Sequence, residues 1–171
     1  GKGKRGARDL TREEARAAMG LLLDDKVEDT QLGAFLMLLR HKEESAEEMA
    51  GFAEAVRERL QVPHIAVDLD WPSYAGKKRH LPWYLLAVKA LAASGVRILL
   101  HGAGAHTAGR MYSEQLIALL DIPLCRDWDS VAQALDQQHL AFIPLGDWAP
   151  QLQRMIDLRN ILGLRSPIHS L

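Results

Sequence analysis

The spacing of apolar residues changes at Pro63, and that break constrains the fold more than any other feature of the chain. Before it, apolar side chains recur at helical spacing. Thr11 with Glu14 three residues later forms a capping box, followed by Ala15, Ala18, Met19, Leu22 and Leu23. Asp29 or Thr30 can cap a second helix with Leu32, Phe35, Leu36 and Leu39 on one face. Ser45 with Glu48 opens a third, carrying Met49, Phe52, Ala53, Val56 and Leu60. A helical subdomain over residues 9–62 is predicted. Beyond Pro63 the apolar runs become short and strand-like, at 65–69, 96–100 and 140–145. They alternate with helical stretches at 83–93, 113–120, 130–138 and 150–162, the first of them stopped by Gly95. Alternation of this kind predicts an α/β fold over 63–171, a mostly parallel sheet flanked by helices, whose last helix is free to return to the helical subdomain.

Composition excludes several classes. With 171 residues, 48% of them hydrophobic and 25% charged, the chain can bury a real core and is neither disordered nor fibrous. Cys125 is the only cysteine, which rules out an internal disulfide and a thiolate zinc cage and fits a cytoplasmic protein. The apolar run at 85–88 is far too short to span a membrane, so no membrane partner is expected. The net charge of −1 does not mark a polyanion binder, so any such role must come from local charge. Lys2, Lys4, Arg5 and Arg8 make residues 1–8 a basic arm, whereas residues 9–60 hold 13 acidic and 7 basic side chains.

Ligands of α/β sheets bind off the carboxyl ends of the strands, which directs attention to three segments. The first, 70–82, carries Lys77, Lys78, Arg79 and His80 among aromatics and prolines. Cations there suit a phosphate backbone, with Trp71, Tyr74 or Trp83 available to stack on bases, although packing into the core is the more ordinary role for any one of these rings. The second, 101–110, holds His101, Gly102, Gly104, His106, Gly109 and Arg110. Its glycines allow close approach of an anion, but it lacks the spacing of a P-loop or dinucleotide fingerprint. Its two histidines suit a turn or a phosphate better than a metal, since no carboxylate lies close in sequence. The third is the final segment, where Arg159 and Arg165 around Leu162 and Gly163 could clamp a carboxylate or phosphate, although a helix C-terminus favours arginine in any case. No nucleophile sits in a hydrolase pattern, and no catalytic residue is assigned.

Taken in order, Asp9-Leu10-Thr11-Arg12-Glu13-Glu14-Ala15, Gly33-Ala34-Phe35-Leu36-Met37-Leu38-Leu39-Arg40-His41-Lys42 and Glu47-Glu48-Met49-Ala50-Gly51 resemble the helical start of the anthranilate phosphoribosyltransferase family, glycosyltransferase family 3. His101-Gly102 resembles that family's Lys-His-Gly loop, and residues 157–166 resemble its Val-Arg-x-x-Leu-Gly-x-Arg-Thr. The resemblance implies a helical subdomain that mediates a homodimer, with phosphoribosyl pyrophosphate (PRPP) and magnesium as ligands of the enzymes. Where the enzymes carry Gly-Thr-Gly-Gly-Asp around diphosphate, this chain has Asp70-Trp71-Pro72-Ser73-Tyr74. Trp and Pro are unsuited to a bare amide cradle. The acidic pair that carries magnesium in the family is expected beyond residue 171, and the chain resembles an N-terminal portion.

The departures are similar to a divergent branch of the family, the YbiB-like proteins, which keep the fold and bind nucleic acid with little sequence preference. That branch implies a non-enzymatic, homodimeric DNA- or RNA-binding protein without a cofactor. Lys77, Lys78, Arg79 and His80 would hold phosphates, assisted by Lys2, Lys4 and Arg5, and His101, Gly102, Arg159 and Arg165 would be relics of the phosphate and acceptor pocket. The alternative is a phosphoribosyltransferase acting on anthranilate or another aromatic acceptor, with PRPP and magnesium.

Overall fold

The computed structural model describes residues 7–60, 62–74, 76, 78–104, 109–165 and 168. They form two compact units, one of residues 1–61 with 161–171 and the other of residues 62–160.

The first unit is a helical bundle. Helices α1 (Arg12–Leu23), α2 (Asp29–Lys42) and α3 (Ala46–Arg59) bury Met19, Leu22, Leu32, Leu36, Leu39 and Phe52. The boxes at Thr11/Glu14 and Ser45/Glu48 form as the sequence predicts. The second helix starts earlier than expected. Glu28 occupies its N-cap and pairs reciprocally with Gln31, a longer-armed version of the same box. Helices α1 and α3 cross tightly because Gly51 has no side chain, and a Cβ there would collide with the Arg12 carbonyl oxygen. Arg8 is fixed to Glu14 by two hydrogen bonds of 2.6 Å, which removes it from the basic arm. Lys2, Lys4 and Arg5 lie outside the described residues.

The second unit is built on a parallel sheet in the order β1 (Leu69–Pro72), β2 (Ile98–Gly102), β3 (Leu140–Pro144). Strand residues alternate between two cores. Ile98, Leu100, Leu140 and Phe142 pack with Leu85, Val88 and Ala92 of α4 (Tyr84–Ala93) and with Ile117 of α5 (Glu114–Ile117), which continues as a tighter turn over Ala118–Leu120. Leu99, Ala141 and Ile143 pack on the other side with Val131, Ala134 and Leu135 of α6 (Trp128–Gln138). The chain leaves α4 through Gly95 at φ 96°, a left-handed conformation that glycine adopts without strain.

Several sequence-based boundaries are corrected. The first strand is not 65–69 but Leu69–Pro72. Ile65 and Val67 instead pack as an extended lead-in against the core around Val131. Asp68 and Arg97 end the ladder, the Asp68 carboxylate accepting from the Arg97 amide at 2.8 Å. Pro72 is tolerated because β1 is an edge among the described strands. Ladder amides come from alternate residues, Leu69 to Arg97 O and Ser73 to His101 O, so the missing proline donor faces away. The second strand runs two residues later than expected. Leu145 begins a short helix, α7 (Leu145–Trp148), rather than ending β3. The expected helix at 150–162 is interrupted at Leu158 into α8 (Pro150–Asp157) and α9 (Arg159–Leu162).

Candidate functional site

The strand shift moves the loop after β1 to Ser73, so Trp71 and Pro72 belong to the sheet and do not line the loop. Trp71 is stacked on Tyr84, ring centroids 5.4 Å apart and planes 19° from parallel. Ser73 shares its hydroxyl with those of Tyr84 and Ser113, whose own separation is 2.5 Å. This triangle ties the beginnings of the loop, of α4 and of α5 together.

His101, near the end of β2, has both ring nitrogens occupied. Its Nε2 is 2.9 Å from the Asp70 carboxylate and its Nδ1 is 2.5 Å from the Tyr74 hydroxyl. These partners select one neutral tautomer, in which Nε2–H donates to Asp70 and Nδ1 accepts from Tyr74. Tyr74 and Trp148 pack edge-on against the imidazole, and Trp128 packs against Trp148. Burial pushes the His101 pKa below 6.5 even though Asp70 acts to raise it, leaving the ring neutral at pH 7. Burial, aided by the Asp70 charge, pushes the Tyr74 phenol well above its ordinary 10. The Trp148 indole N–H is buried without a hydrogen-bond partner among the described residues. The Asp70–His101–Tyr74 chain is not visible in the sequence, where no carboxylate lies beside His101. Pairing of β1 with β2 brings Asp70 across from Leu99, within reach of that ring.

Of the glycines near the strand ends, Gly102 and Gly76 lie against the chain itself, whereas a Cβ on Gly109 would meet nothing within 4 Å. A Cβ on Gly102 would collide with the Ser73 carbonyl oxygen, and one on Gly76 would meet the Tyr112 ring at 2.5 Å. Arg110 donates to the Gly76 carbonyl at 3.0 Å. At Gly102 and Gly76 the missing side chain serves close packing of the loop and leaves no room there for a diphosphate. Among the described residues no group of three or more His, Cys, Asp or Glu side chains could hold a metal ion.

Beyond Gly76 the loop turns outward. Lys78, Arg79 and His80 are exposed, and none has an ion-pair partner among the described residues. Lys77 lies outside the described residues, as does His106. Arg159 is half-buried in the second unit, whereas Arg165 is exposed and belongs to the first. No described helix is long and apolar enough to cross a membrane.

The bundle, the parallel sheet and a site at the strand ends define an α/β protein of the class in which ligands meet the carboxyl edge of the sheet. Comparison with known proteins then specifies the family. Residues 2–60 match the family described as "Glycosyl transferase family, helical bundle domain". The uncharacterized protein YbiB of Escherichia coli (strain K12) is 30% identical over 175 residues, covering 100% of this chain and 54% of that protein. An anthranilate phosphoribosyltransferase of Methylobacterium nodulans is 34% identical over 160 residues, covering 92% of this chain and 47% of the enzyme. The crystal structure of anthranilate phosphoribosyltransferase from Thermus thermophilus superposes with a TM-score of 0.81 at 25% identity, over 95% of this chain and 50% of that one. The chain belongs to the glycosyltransferase family that includes anthranilate phosphoribosyltransferase and YbiB, and it spans about half the length of these relatives.

Proposed function

We propose that this protein binds DNA or RNA through the phosphate backbone, on a phosphoribosyltransferase scaffold whose diphosphate loop no longer serves a transferase. The observation that carries this reading is the division of labour within the loop after β1. Its inner half is closed onto the sheet by Ser73, Tyr74 and Gly76, and its outer half presents Lys78, Arg79 and His80 to solvent without carboxylate partners among the described residues. Unpaired exposed cations gain by displacing the counterions of a polyphosphate. Lys77 extends the run, and Lys2, Lys4 and Arg5 supply further positive charge.

A salt titration of binding to a single-stranded oligonucleotide tests the proposal. Affinity should fall steeply with salt, and the Lys77→Ala, Lys78→Ala, Arg79→Ala triple variant should lower the log–log slope by up to about 0.7 for each phosphate-binding cation removed. A triple variant that binds unchanged overturns the site. Saturable micromolar binding of PRPP with magnesium in calorimetry overturns the non-transferase reading.

The same proposal includes a homodimer through the helical unit. On α2, Ala34, Met37, Leu38 and His41 share an exposed face, with Leu38 61% and Met37 49% accessible. An exposed apolar stripe at this spacing suits burial against a second copy.

A further inference from the structure

We infer that the nucleic acid taken by this site is single-stranded, with one unpaired base stacked on the indole of Trp83. The inference rests on the backbone-binding reading above and adds the class of nucleic acid and the residue that selects it.

Three of the four tryptophans are engaged by the fold. Trp71 is stacked on Tyr84, and Trp128 and Trp148 pack against each other. Tyr74 is held to His101. Trp83 is 63% exposed and has no ring partner among the described residues. Its backbone is nevertheless well fixed. The Trp83 amide donates to the Leu81 carbonyl at 2.8 Å, the Trp83 carbonyl accepts from Leu86 at 3.1 Å, and the flanking Pro82 and Leu85 are buried. An indole carried by a fixed backbone at the N-cap of α4 and left uncovered offers a flat surface, and base stacking requires one.

Position ties this ring to the cations. Trp83 follows Arg79 by four residues, so even a fully extended chain keeps their Cα atoms within about 14 Å. One strand a few nucleotides long can therefore meet both. Duplex bases are already stacked on their neighbours and offer no free face, so only unpaired bases gain from the indole. Leu81 and Leu86, 41% and 51% exposed, widen the apolar surface around the ring. A purely protein-binding patch would not need Lys78 and Arg79 side by side without carboxylate partners among the described residues.

The experiment compares the full chain with Trp83→Ala, Trp83→Phe and the Lys77/Lys78/Arg79 triple variant. Each is titrated with a single-stranded oligonucleotide, the same sequence as duplex, and an abasic strand of equal length. Trp83→Ala should weaken single-strand binding about 5- to 150-fold, the equivalent of roughly 1–3 kcal/mol for one stacked base, and Trp83→Phe should restore part of it. Duplex and abasic binding and the salt slope should stay at wild-type values. A folding defect in Trp83→Ala would show as a lowered melting temperature, and Trp83→Phe then carries the comparison. If Trp83→Ala and Trp83→Phe bind single strands like the wild type while the triple variant fails, stacking is refuted and backbone binding stands. If Trp83→Ala instead changes only self-association, the patch is a protein interface and the inference falls. If the wild-type chain binds no nucleic acid at low salt, the proposed function fails and takes this inference with it.

Discussion

Replacing Glu48 by Gln tests how the bundle is held together at its one fully buried carboxylate among the described residues. Glu48 has no exposed surface, and its two oxygens take three donors. Oε1 accepts from the Leu10 amide at 2.8 Å, and Oε2 accepts from the Ser45 amide at 2.9 Å and from Lys42 Nζ at 2.7 Å. Glutamine fills the same volume but presents one NH2 where an acceptor is needed, so either the Leu10 amide or the Ser45–Lys42 pair loses its partner. Removing one member of a buried ion pair typically costs about 3–5 kcal/mol, and a lost hydrogen bond to a charged group about 1.5–3. Lys42 is not stranded, because its ammonium also reaches Asp9 at 2.5 Å, which places the expectation near about 2–4 kcal/mol.

All four tryptophans lie in the 62–160 unit, so their fluorescence does not report on the bundle. Far-ultraviolet ellipticity in a urea titration does. A Glu48→Gln variant with the wild-type midpoint refutes the reasoning. Acid supplies an independent check. Burial alone would raise the Glu48 carboxyl, but Lys42 and the two amides outweigh it and hold the folded pKa below 4.5. The folded state therefore binds this proton less readily than the unfolded state. The stabilisation is complete above pH 4.5 and is lost as pH falls through the folded value. The gap between wild type and variant should narrow below pH 4.5 and stay flat between about pH 6 and 8.

Two other predictions concern His101 and α2. Asp70 raises the His101 pKa against burial, so Asp70→Asn should lower it further in an NMR titration, and a wild-type value at or above 6.5 contradicts the assigned environment. Because the folded value is depressed, stability gained from the neutral ring should decline as pH drops from 6.5 toward that lowered value. Leu38→Glu places a charge on the exposed stripe of α2, and in sedimentation equilibrium it should shift a dimer toward monomer by at least tenfold in dissociation constant, about 1.4 kcal/mol. A wild-type chain that is monomeric throughout removes the dimer from the proposal.

What could be read from residues alone was set by local rules. The capping boxes at Thr11 and Ser45, the stop at Gly95 and the alternation of short apolar runs with helices depend on neighbours within a few positions, so spacing reports them directly. Strand register obeys a different physics. Ile65–Leu69 has the composition of a strand, yet pairing depends on which amides on β2 are free, and the ladder chose Leu69–Pro72. Moving the end of the strand three residues, from Leu69 to Pro72, changed which side chains belong to the loop. The exposed run at Lys78–His80 was legible as charge, because solvated cations need no partner to be recognised. The Asp70–His101–Tyr74 chain was not, since its members come from separate strand ends joined only by pairing. Whether Trp71, Tyr74 or Trp83 remains available to a ligand was likewise beyond the sequence. Aromatic rings are buried or exposed according to what packs on them, and only the folded sheet, by stacking Tyr84 on Trp71 and setting His101 against Tyr74, left Trp83 uncovered.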